Sequence, residues 1–255
     1  TYGTNVLNAM IGKRFNYPKS LYAVQDTLRF FVANKPNALI VDFFAGSGTT
    51  LHAVNLLNAE DGGHRRCILV TNNEVSADEA KTLSAQGYQP GDPEWEQYGI
   101  ARYVTWPRTV CSIEGHDVNG KPLKGDYITS GEEPMHMADG FKANAAFFKL
   151  GFLDKNAVAL GRQFKELLPV LWLKAGAHGP CPSLEEAAEM PAMLVLPENH
   201  FAVLTNESQY ETFATQVNTE DAITTVYIVT DSEPGYREMI SGLHAEDTYQ
   251  LYRDY

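Results

Sequence analysis

The chain has 255 residues and a mass of 28.3 kDa, with 44% hydrophobic and 20% charged residues. This length and composition support a buried core and exclude a disordered, collagen-like or disulfide-dense small protein. No run approaches the roughly 18–20 apolar residues that a membrane helix needs, so we expect a soluble cytoplasmic protein without a membrane partner.

The net charge of −12 is unevenly distributed along the chain. Residues 1–180 carry 18 Lys and Arg and 18 Asp and Glu, whereas residues 181–255 carry 2 and 14. Because an acidic surface repels phosphate, we expect nucleic-acid contacts to come from the first part or from protein outside this chain. The chain begins at Thr1 and ends at Tyr255, and we interpret it as part of something longer.

Hydrophobic spacing predicts two helices at the start of the chain. The first covers residues 5–12, and the second covers residues 21–33, where apolar residues recur at steps of three and four. Ser20 directly precedes the second helix and is a suitable N-cap, because its hydroxyl can accept a hydrogen bond from a free backbone N–H.

A strand, a helix and a second strand follow. Residues 38–44 form a continuous apolar run, as in strands covered on both faces. The glycine-rich residues 45–50 then lead into a helix over residues 51–57, and residues 67–71 form the second strand. Such a unit is expected to be parallel and right-handed.

The middle of the chain carries weaker signals. Residues 76–86 are predicted as a helix and residues 103–106 as a third strand. Residues 110–114 and 127–128 flank a predicted hairpin tip at residues 119–122 (NGKP), where Asn-Gly favours a tight turn.

The last third of the chain again alternates strands and helices. Residues 160–175 predict a helix kinked at Pro169, and residues 178–182 predict a linker. Strands are then predicted over residues 201–205, 225–230 and 248–251, with helices over residues 209–216 and 235–242. We therefore predict an α/β protein: a Rossmann-like portion over residues 1–115, a hairpin and helical connection over 116–192, and a small acidic α/β unit over 193–255.

The glycine turn between the first strand and its helix is the clearest functional signal. A P-loop would carry Lys where Thr49 stands, and a dinucleotide fold would carry glycine or alanine where Leu51 stands. Asp42 precedes the glycine turn near the end of the first strand and Glu74 stands at the end of the second, so both carboxylates should open on the same crevice. Since a carboxylate at the second strand end suits ribose hydroxyls, the ligand is expected to contain a nucleoside.

Several segments resemble one enzyme family. Residues 42–50 (DFFAGSGTT) resemble the cofactor loop of S-adenosylmethionine-dependent, amino-methylating DNA methyltransferases, particularly the adenine-specific group in which that loop lies late in the chain. Residues 15–20 (FNYPKS) resemble the element that precedes this loop, and residues 71–74 (TNNE) resemble the ribose-binding strand end. Residues 103–107, 161–176 and 251–255 look like the C-terminal half of bacterial adenine methyltransferases from restriction-type systems.

The resemblance implies a set of residues that bind S-adenosylmethionine. Asp42 and the turn backbone would hold the methionine moiety, Lys19 with nearby hydroxyls would lie near its carboxylate, Glu74 would bind the ribose, and Phe43 or Phe44 would pack against the cofactor. The complete set is Lys19, Ser20, Asp42, Phe43, Phe44, Ala45, Gly46, Ser47, Gly48, Thr49, Thr50 and Glu74. No metal site is expected, because the histidines lack ligand spacing.

One motif of the family is absent from the sequence. Amino methylation uses an Asp/Asn-Pro-Pro-aromatic loop that holds a base flipped out of the duplex, and the nearest segment here is residues 92–95 (DPEW), which lacks the second proline. In the late-loop group this motif lies upstream of the segment resembling residues 15–20. The implied partners are therefore a missing N-terminal catalytic half, DNA bound through the whole protein, and a restriction subunit.

The chain alone is accordingly predicted to be inactive. Two alternatives stay open at this point. The first is N4-cytosine methylation, which uses the same cofactor half. The second is a non-enzymatic assembly domain whose acidic end docks a basic partner.

Overall fold

The structure is a computed structural model that describes residues 2–131, 133–151, 164–184 and 190–252. Two compact units make up the chain, Thr1–Phe147 and Phe148–Tyr255. The boundaries expected near residues 115 and 192 rest on sequence pattern and stay predictions. Among the described residues, no helix is both long and apolar enough to cross a membrane.

The first unit is built mainly from helices around a two-stranded sheet. Its helices are α1 (Tyr2–Ile11), α2 (Leu21–Val32), α3 (Thr49–Asp61), α4 (Ala77–Ala85), α5 (Pro93–Glu96), a π-helix (Ala101–Thr105), α6 (Trp106–Glu114) and a 3₁₀-helix (Met137–Asp139). Its strands are β1 (Leu39–Asp42), β2 (Arg66–Leu69), β3 (Asp126–Tyr127) and β4 (Met135–His136). The two helices predicted at the start are confirmed, and the Ser20 hydroxyl caps α2 by accepting from Ala23 N.

The predicted parallel strand–helix–strand unit is confirmed. β1 and β2 pair in parallel, with Leu39 opposite Arg66 and Asp42 opposite Leu69. Helix α3 connects them, and α2 lies beside α3, where Gln25 Nε2 donates to Glu60 Oε2 at 2.7 Å. Side chains from both sides of this unit form one core: Leu7, Met10, Ile11, Leu21, Ala53, Leu56, Val104, Cys111, Leu123, Tyr127, Met137 and Phe141.

The expectation that both strands are covered on both faces is wrong for this chain. Every second residue is exposed, with Leu39 51%, Val41 43%, Ile68 49% and Val70 42% accessible. Side chains alternate between the faces of a strand, and the other face, with Ile40 and Asp42, is less exposed. The described part of the first unit therefore covers one face of this sheet and leaves an apolar face open.

The predicted third strand at residues 103–106 is also wrong. These residues lie in the π-helix and at the start of α6, which also contains residues 110–114. Val104 and Cys111 place apolar side chains on one face of this helical stretch and join the core, so burial outweighs the strand propensity of the aromatic residues. The predicted hairpin around residues 119–122 is reduced to one antiparallel bridge between His116 and Pro122.

The second unit is a four-stranded sheet with helices on both faces. Its helices are α7 (Leu168–Lys174), α8 (Tyr210–Thr219) and α9 (Glu233–Ser241), with 3₁₀-helices at Phe164–Leu167, Pro197–Asn199 and Glu207–Gln209. Its strands are β5 (Met193–Leu196), β6 (Phe201–Leu204), β7 (Thr225–Val229) and β8 (Asp247–Leu251), in spatial order β5-β6-β7-β8 with only β5 antiparallel. The alternation predicted over residues 201–251 is confirmed, whereas β5 was not predicted.

Two apolar clusters cover the faces of this sheet. Phe213 of α8 and Met239 of α9 pack on one face, and Leu168 and Trp172 of α7 pack on the other. Pro169 lies in the first turn of α7 and not at a kink, because a proline ring suits the start of a helix. Residues 160–163 and 253–255 lie outside the described residues.

The segment predicted as a linker, residues 178–182, is held within the second unit. Asn199 Nδ2 donates to the carbonyl oxygens of His178 and Pro180, at 2.8 and 2.7 Å. Trp172 Nε1 also donates to the His178 carbonyl at 2.8 Å.

Candidate functional site

The glycine turn is closed by a single carboxylate. Asp42 ends β1, and its Oδ1 accepts a hydrogen bond from Phe44 N at 2.9 Å, while its Oδ2 accepts from the Thr50 hydroxyl at 2.6 Å. Each carboxylate oxygen thus binds a different end of the turn. Asp42 therefore fixes the shape of the path from β1 to α3 and leaves the turn backbone to meet a ligand.

The two glycines of the turn serve different purposes. Gly48 has a φ of +74°, and a Cβ there would lie 3.1 Å from Thr105 Cγ2, so this position requires glycine for packing as well as for conformation. Gly46 has a φ of +52°, and the nearest atom to a Cβ there would be Phe44 O at 3.8 Å. The turn is therefore packed from behind at Gly48 and open at Gly46.

The remaining predicted residues of the turn divide by exposure. Ala45, Ser47 and Thr49 are buried, whereas Phe43 and Phe44 are 66% and 92% exposed. Helix α3 begins at Thr49, so its first backbone N–H groups lie at the turn. Unpaired N–H groups at the start of a helix favour an anionic ligand group.

The structure does not join Lys19 or Ser20 to the turn by any hydrogen bond or ion pair among the described residues. Ser20 caps α2, and Lys19 is exposed. Their predicted place beside the cofactor carboxylate stays a prediction.

A buried arginine lies behind the turn, and sequence reasoning missed it. Arg108 of α6 is 1% exposed. Its Nη1 donates to Thr49 Oγ1 at 2.7 Å, to Ser47 Oγ at 3.1 Å and to the Ser47 carbonyl at 3.2 Å. Burial lowers the pKa of Arg108 to about 10, so the guanidinium remains charged at neutral pH.

The arginine is the centre of a longer buried network. Its Nε donates to His52 Nδ1 at 3.3 Å, so the imidazole carries its proton on Nε2, which lies 2.9 Å from the Tyr127 hydroxyl and donates to it. The pKa of His52 lies well below its ordinary value, first because of burial and second because of the Arg108 charge. His52 is therefore neutral at physiological pH.

The π-helix adds a further link to the turn. Thr105, its last residue, donates from Oγ1 to the Gly46 carbonyl at 2.6 Å and to the Ile100 carbonyl at 3.1 Å. π-helical turns are rare and occur often at functional sites. Here the π-helix brings a side-chain hydroxyl onto the backbone of the glycine turn.

Glu74 lies beside a small cavity that follows the end of β2. Its side chain is exposed, and its carbonyl accepts from Ile100 N at 2.8 Å. The cavity has a volume of about 200 Å³ and is lined by Arg14, Phe15, Glu74, Val75, Ser76, Glu79, Tyr98, Ile100, Tyr103 and Val104. Aromatic walls beside a carboxylate suit a nucleoside, and the volume, below the ~300 Å³ of typical ligand pockets, suits only part of one.

The parallel pairing brings the turn and the Glu74 segment to the same edge of the sheet. Ala45 N donates to the Val70 carbonyl at 3.2 Å, so the turn lies against the chain that leaves β2. Four residues later that chain reaches Glu74. Asp42, the turn and Glu74 thus follow the carboxyl ends of neighbouring parallel strands, where α/β proteins bind their ligands.

Fold and site together define an α/β protein with a glycine turn at the carboxyl ends of parallel strands. No protein-family model matches the chain. Over part of its length, however, the chain is similar to restriction-modification methyltransferases, which confirms the predicted resemblance.

Three relatives carry this similarity. The type II methyltransferase M.KpnI of Klebsiella pneumoniae is 45% identical over 71 residues, 28% of this chain and 16% of the relative. The Mod subunit of the type III restriction-modification enzyme EcoPI, from Escherichia phage P1, is 36% identical over 89 residues, 35% of this chain and 13% of the relative. The Mod subunit of the type III enzyme StyLTI, from Salmonella typhimurium, is 38% identical over 183 residues, 64% of this chain and 27% of the relative. The similarity thus covers between 13% and 27% of each relative.

Proposed function

We propose that this chain is the cofactor-binding and C-terminal part of a site-specific DNA methyltransferase that transfers a methyl group from S-adenosylmethionine to the N6 amine of adenine. The observation that carries the proposal is the glycine turn closed by Asp42 at the end of β1, with Glu74 after the neighbouring strand. The similarity to M.KpnI and to two Mod subunits supports a restriction-modification setting.

The residues of the turn fit such a cofactor in shape and chemistry. Gly46 leaves open space where a side chain would stand, so the methionine moiety can lie against the backbone of residues 44–48. Glu74, beside its cavity, would accept hydrogen bonds from the ribose hydroxyls. When bound, S-adenosylmethionine supplies an electrophilic methyl group on a sulfonium ion. The contribution of the chain's own residues is to orient the cofactor, since positioning alone provides much of the rate in such transfers.

The open face of the β1–β2 sheet supports a larger parent protein. Leu39, Val41, Ile68 and Val70 expose apolar surface on this face, and contiguous exposed apolar patches mark contact with other protein. We propose that the remainder of the same protein, the catalytic N-terminal half, covers this face. DNA and a restriction subunit would then bind through the complete protein, in line with the Mod subunits among its relatives.

The chain by itself is proposed to be inactive, because its sequence contains no Asp/Asn-Pro-Pro-aromatic segment to hold the target amine. Incubating the 255-residue chain with labelled S-adenosylmethionine and adenine-containing duplex DNA should therefore give no methyl transfer. Transfer above background would refute this part of the proposal.

Cofactor binding is tested by calorimetry with S-adenosylmethionine and S-adenosylhomocysteine. We expect binding by the wild-type chain and a loss of about tenfold or more for Asp42→Ala and Glu74→Ala, because each removes hydrogen bonds to or around the ligand. Glu211→Ala, an exposed acidic residue in α8 of the second unit, is the matched control and should bind as the wild type does. If the wild-type chain binds neither compound, the proposal fails and an assembly role takes its place.

A further inference from the structure

Arg108 combines two properties that are costly in a protein interior. It is 1% exposed and charged, yet among the described residues no carboxylate lies within ion-pair distance of it. Its Nη2 is buried without a hydrogen-bond partner in the part of the chain that the structure describes. Buried charges are normally paired, since desolvation strongly disfavours an isolated one.

A second buried arginine in the same unit shows the ordinary arrangement. Arg65, after the C-terminal end of α3, binds both carboxylate oxygens of Asp61 at 2.9 Å. It also donates to the carbonyls of Val32 and Ala33. Its charge is thus neutralised, and it lies at the negative end of the helix dipole.

Arg108 has the opposite electrostatic setting. Its partners Ser47 and Thr49 are at the N-terminal end of α3, which is the positive end of the helix dipole. A cation there is unfavourable for the free protein. An anionic group bound at the turn would relieve both the helix N-terminus and the buried guanidinium.

The hydrogen bonds of Arg108 also set the orientation of the turn. Its bond to the Ser47 carbonyl directs the Ser47–Gly48 peptide unit, whose N–H donates to the Ala45 carbonyl at 2.8 Å. The Ser47 and Thr49 hydroxyls both accept from Arg108 Nη1 and lie 3.2 Å from each other, so one of them also donates to the other and the three side chains form one buried network. These contacts hold the turn in front of the N-terminal end of α3, where backbone N–H groups favour an anion.

We propose that Arg108 is a positioning residue for the cofactor turn, and that its buried charge favours ligands with a carboxylate at that turn. Arg108 acts through the Ser47–Gly48 peptide unit, through the Thr49 hydroxyl and through its field, without touching the ligand. This inference rests on the proposed cofactor site. It names Arg108 as the residue that makes this site selective for the amino-acid end of the cofactor.

The first test needs no ligand. Hydrogen exchange is measured by mass spectrometry for Arg108→Met and for the control Arg65→Met. Arg108→Met should raise exchange about tenfold or more over residues 44–52 while residues 55–61 stay near the wild-type rate, because hydrogen bonds from a charged donor are lost at one end of α3 only. Arg65→Met should give the reverse pattern. Equal exchange at the turn in Arg108→Met and wild type would overturn the positioning role.

The second test compares two ligands by calorimetry. S-adenosylhomocysteine carries the amino-acid carboxylate, and 5′-methylthioadenosine lacks it. Arg108→Met should weaken S-adenosylhomocysteine about tenfold or more and methylthioadenosine by about twofold or less, whereas Arg108→Lys, which keeps the charge, should retain the wild-type ratio. Arg65→Met should leave the ratio unchanged. Equal weakening of both ligands in Arg108→Met would overturn the charge selectivity and assign Arg108 a structural role alone.

The two tests separate the failure of this inference from the failure of the proposed function. If the wild-type chain binds neither ligand, the cofactor proposal and the charge selectivity both fail, and the exchange experiment alone decides the positioning role. If Arg108→Met does not fold, the Arg108→Lys variant tests both the positioning role and the charge selectivity. Its single ammonium cannot reproduce the fork of hydrogen bonds, so exchange at residues 44–52 should rise while the ligand ratio is kept.

Discussion

His52 Nε2 and the Tyr127 hydroxyl lie 2.9 Å apart in a buried contact that joins α3 to β3. The tautomer follows from the other ring nitrogen, because Nδ1 accepts from Arg108. A neutral imidazole is therefore built into the support of the glycine turn. Protonating it would place a second positive charge beside Arg108.

This contact predicts a loss of stability in mild acid. The folded-state pKa of His52 is lowered, by burial first and by Arg108 second, so below the unfolded pKa of about 6.5 only the unfolded state takes up the proton. Between about pH 7 and pH 5.5 the wild type should lose about 1 kcal/mol more than His52→Gln, measured by urea denaturation.

The comparison with His52→Gln also cancels the contributions of other titrating groups to the pH dependence of stability. The pKa of half-buried His116 is raised, mainly by hydrogen bonding to the Asp117 carbonyl, and that of exposed His136 is raised by Asp126. Their contribution has the opposite sign, since it is present in acid and lost as the pH rises. Both residues are common to the two proteins and cancel. Parallel pH profiles would show that His52 is not buried in its neutral form.

The bond between Asp42 and Thr50 predicts a measurable cost when the hydroxyl is removed. Thr50→Val deletes the donor to Asp42 Oδ2 at 2.6 Å, and a hydrogen bond to a charged group contributes about 1.5–3 kcal/mol. We expect the free energy of unfolding to fall by about 1–2 kcal/mol, because Thr50 is only half-buried. Thr50→Ser keeps the hydroxyl and should stay near the wild type. A loss in Thr50→Ser without a loss in Thr50→Val would mean that the methyl group, and not the hydroxyl, matters.

Substitutions of the two glycines of the turn should have different effects, one mainly on the stability of the chain and the other mainly on ligand binding. Gly48→Ala should destabilise the chain by about 2 kcal/mol or more, since the left-handed conformation costs roughly 1–2 kcal/mol and Thr105 Cγ2 must also move. Gly46→Ala should cost about 1 kcal/mol, because its surroundings are open. Calorimetry should nevertheless find that Gly46→Ala weakens S-adenosylhomocysteine strongly. Unchanged binding would show that no ligand lies against Gly46.

The open sheet face predicts a difference between two valines. Val41 on that face is 43% exposed, and Val54 of α3 is 1% exposed. In the 255-residue chain, Val41→Thr should change the free energy of unfolding by less than about 0.5 kcal/mol, and Val54→Thr should cost about 1–3 kcal/mol, because it buries a hydroxyl. In a longer protein that covers the sheet, the cost of Val41→Thr should approach that of Val54→Thr. A large cost in the chain alone would mean that the face is already covered.

The sequence predicted the turn and its flanking elements because their signals are local. An apolar run, two glycines and a following helical segment that ends before the glycines at residues 62–63 lie close together in the sequence, and each signal requires only its neighbours. The same holds for the strands and helices of the second unit from residue 201 onward. β5 was not predicted because Met193–Leu196 is short and lies close behind a proline. Such a short apolar segment shows no clear hydrophobic periodicity.

The support behind the turn could not be predicted in the same way. Arg108 and His52 are 56 positions apart, and nothing in the spacing of either residue points to the other. One signal was available, however. With residues 101–114 assigned as helix, Arg108 falls on the same face as Val104 and Cys111. Because arginine is rarely fully buried, a lone arginine on an apolar helix face indicates a buried charge with a structural or functional role.

The π-helix at Ala101–Thr105 also limits how this chain can change in length. An α-helix turns about 100° per residue, so losing one residue there would rotate α6 and carry Arg108 away from the glycine turn. At the exposed tip, by contrast, a Cβ added to Gly120 would meet no atom within 4 Å. During evolution, insertions and deletions should therefore accumulate at the tip around Gly120 and be selected against between residues 100 and 108.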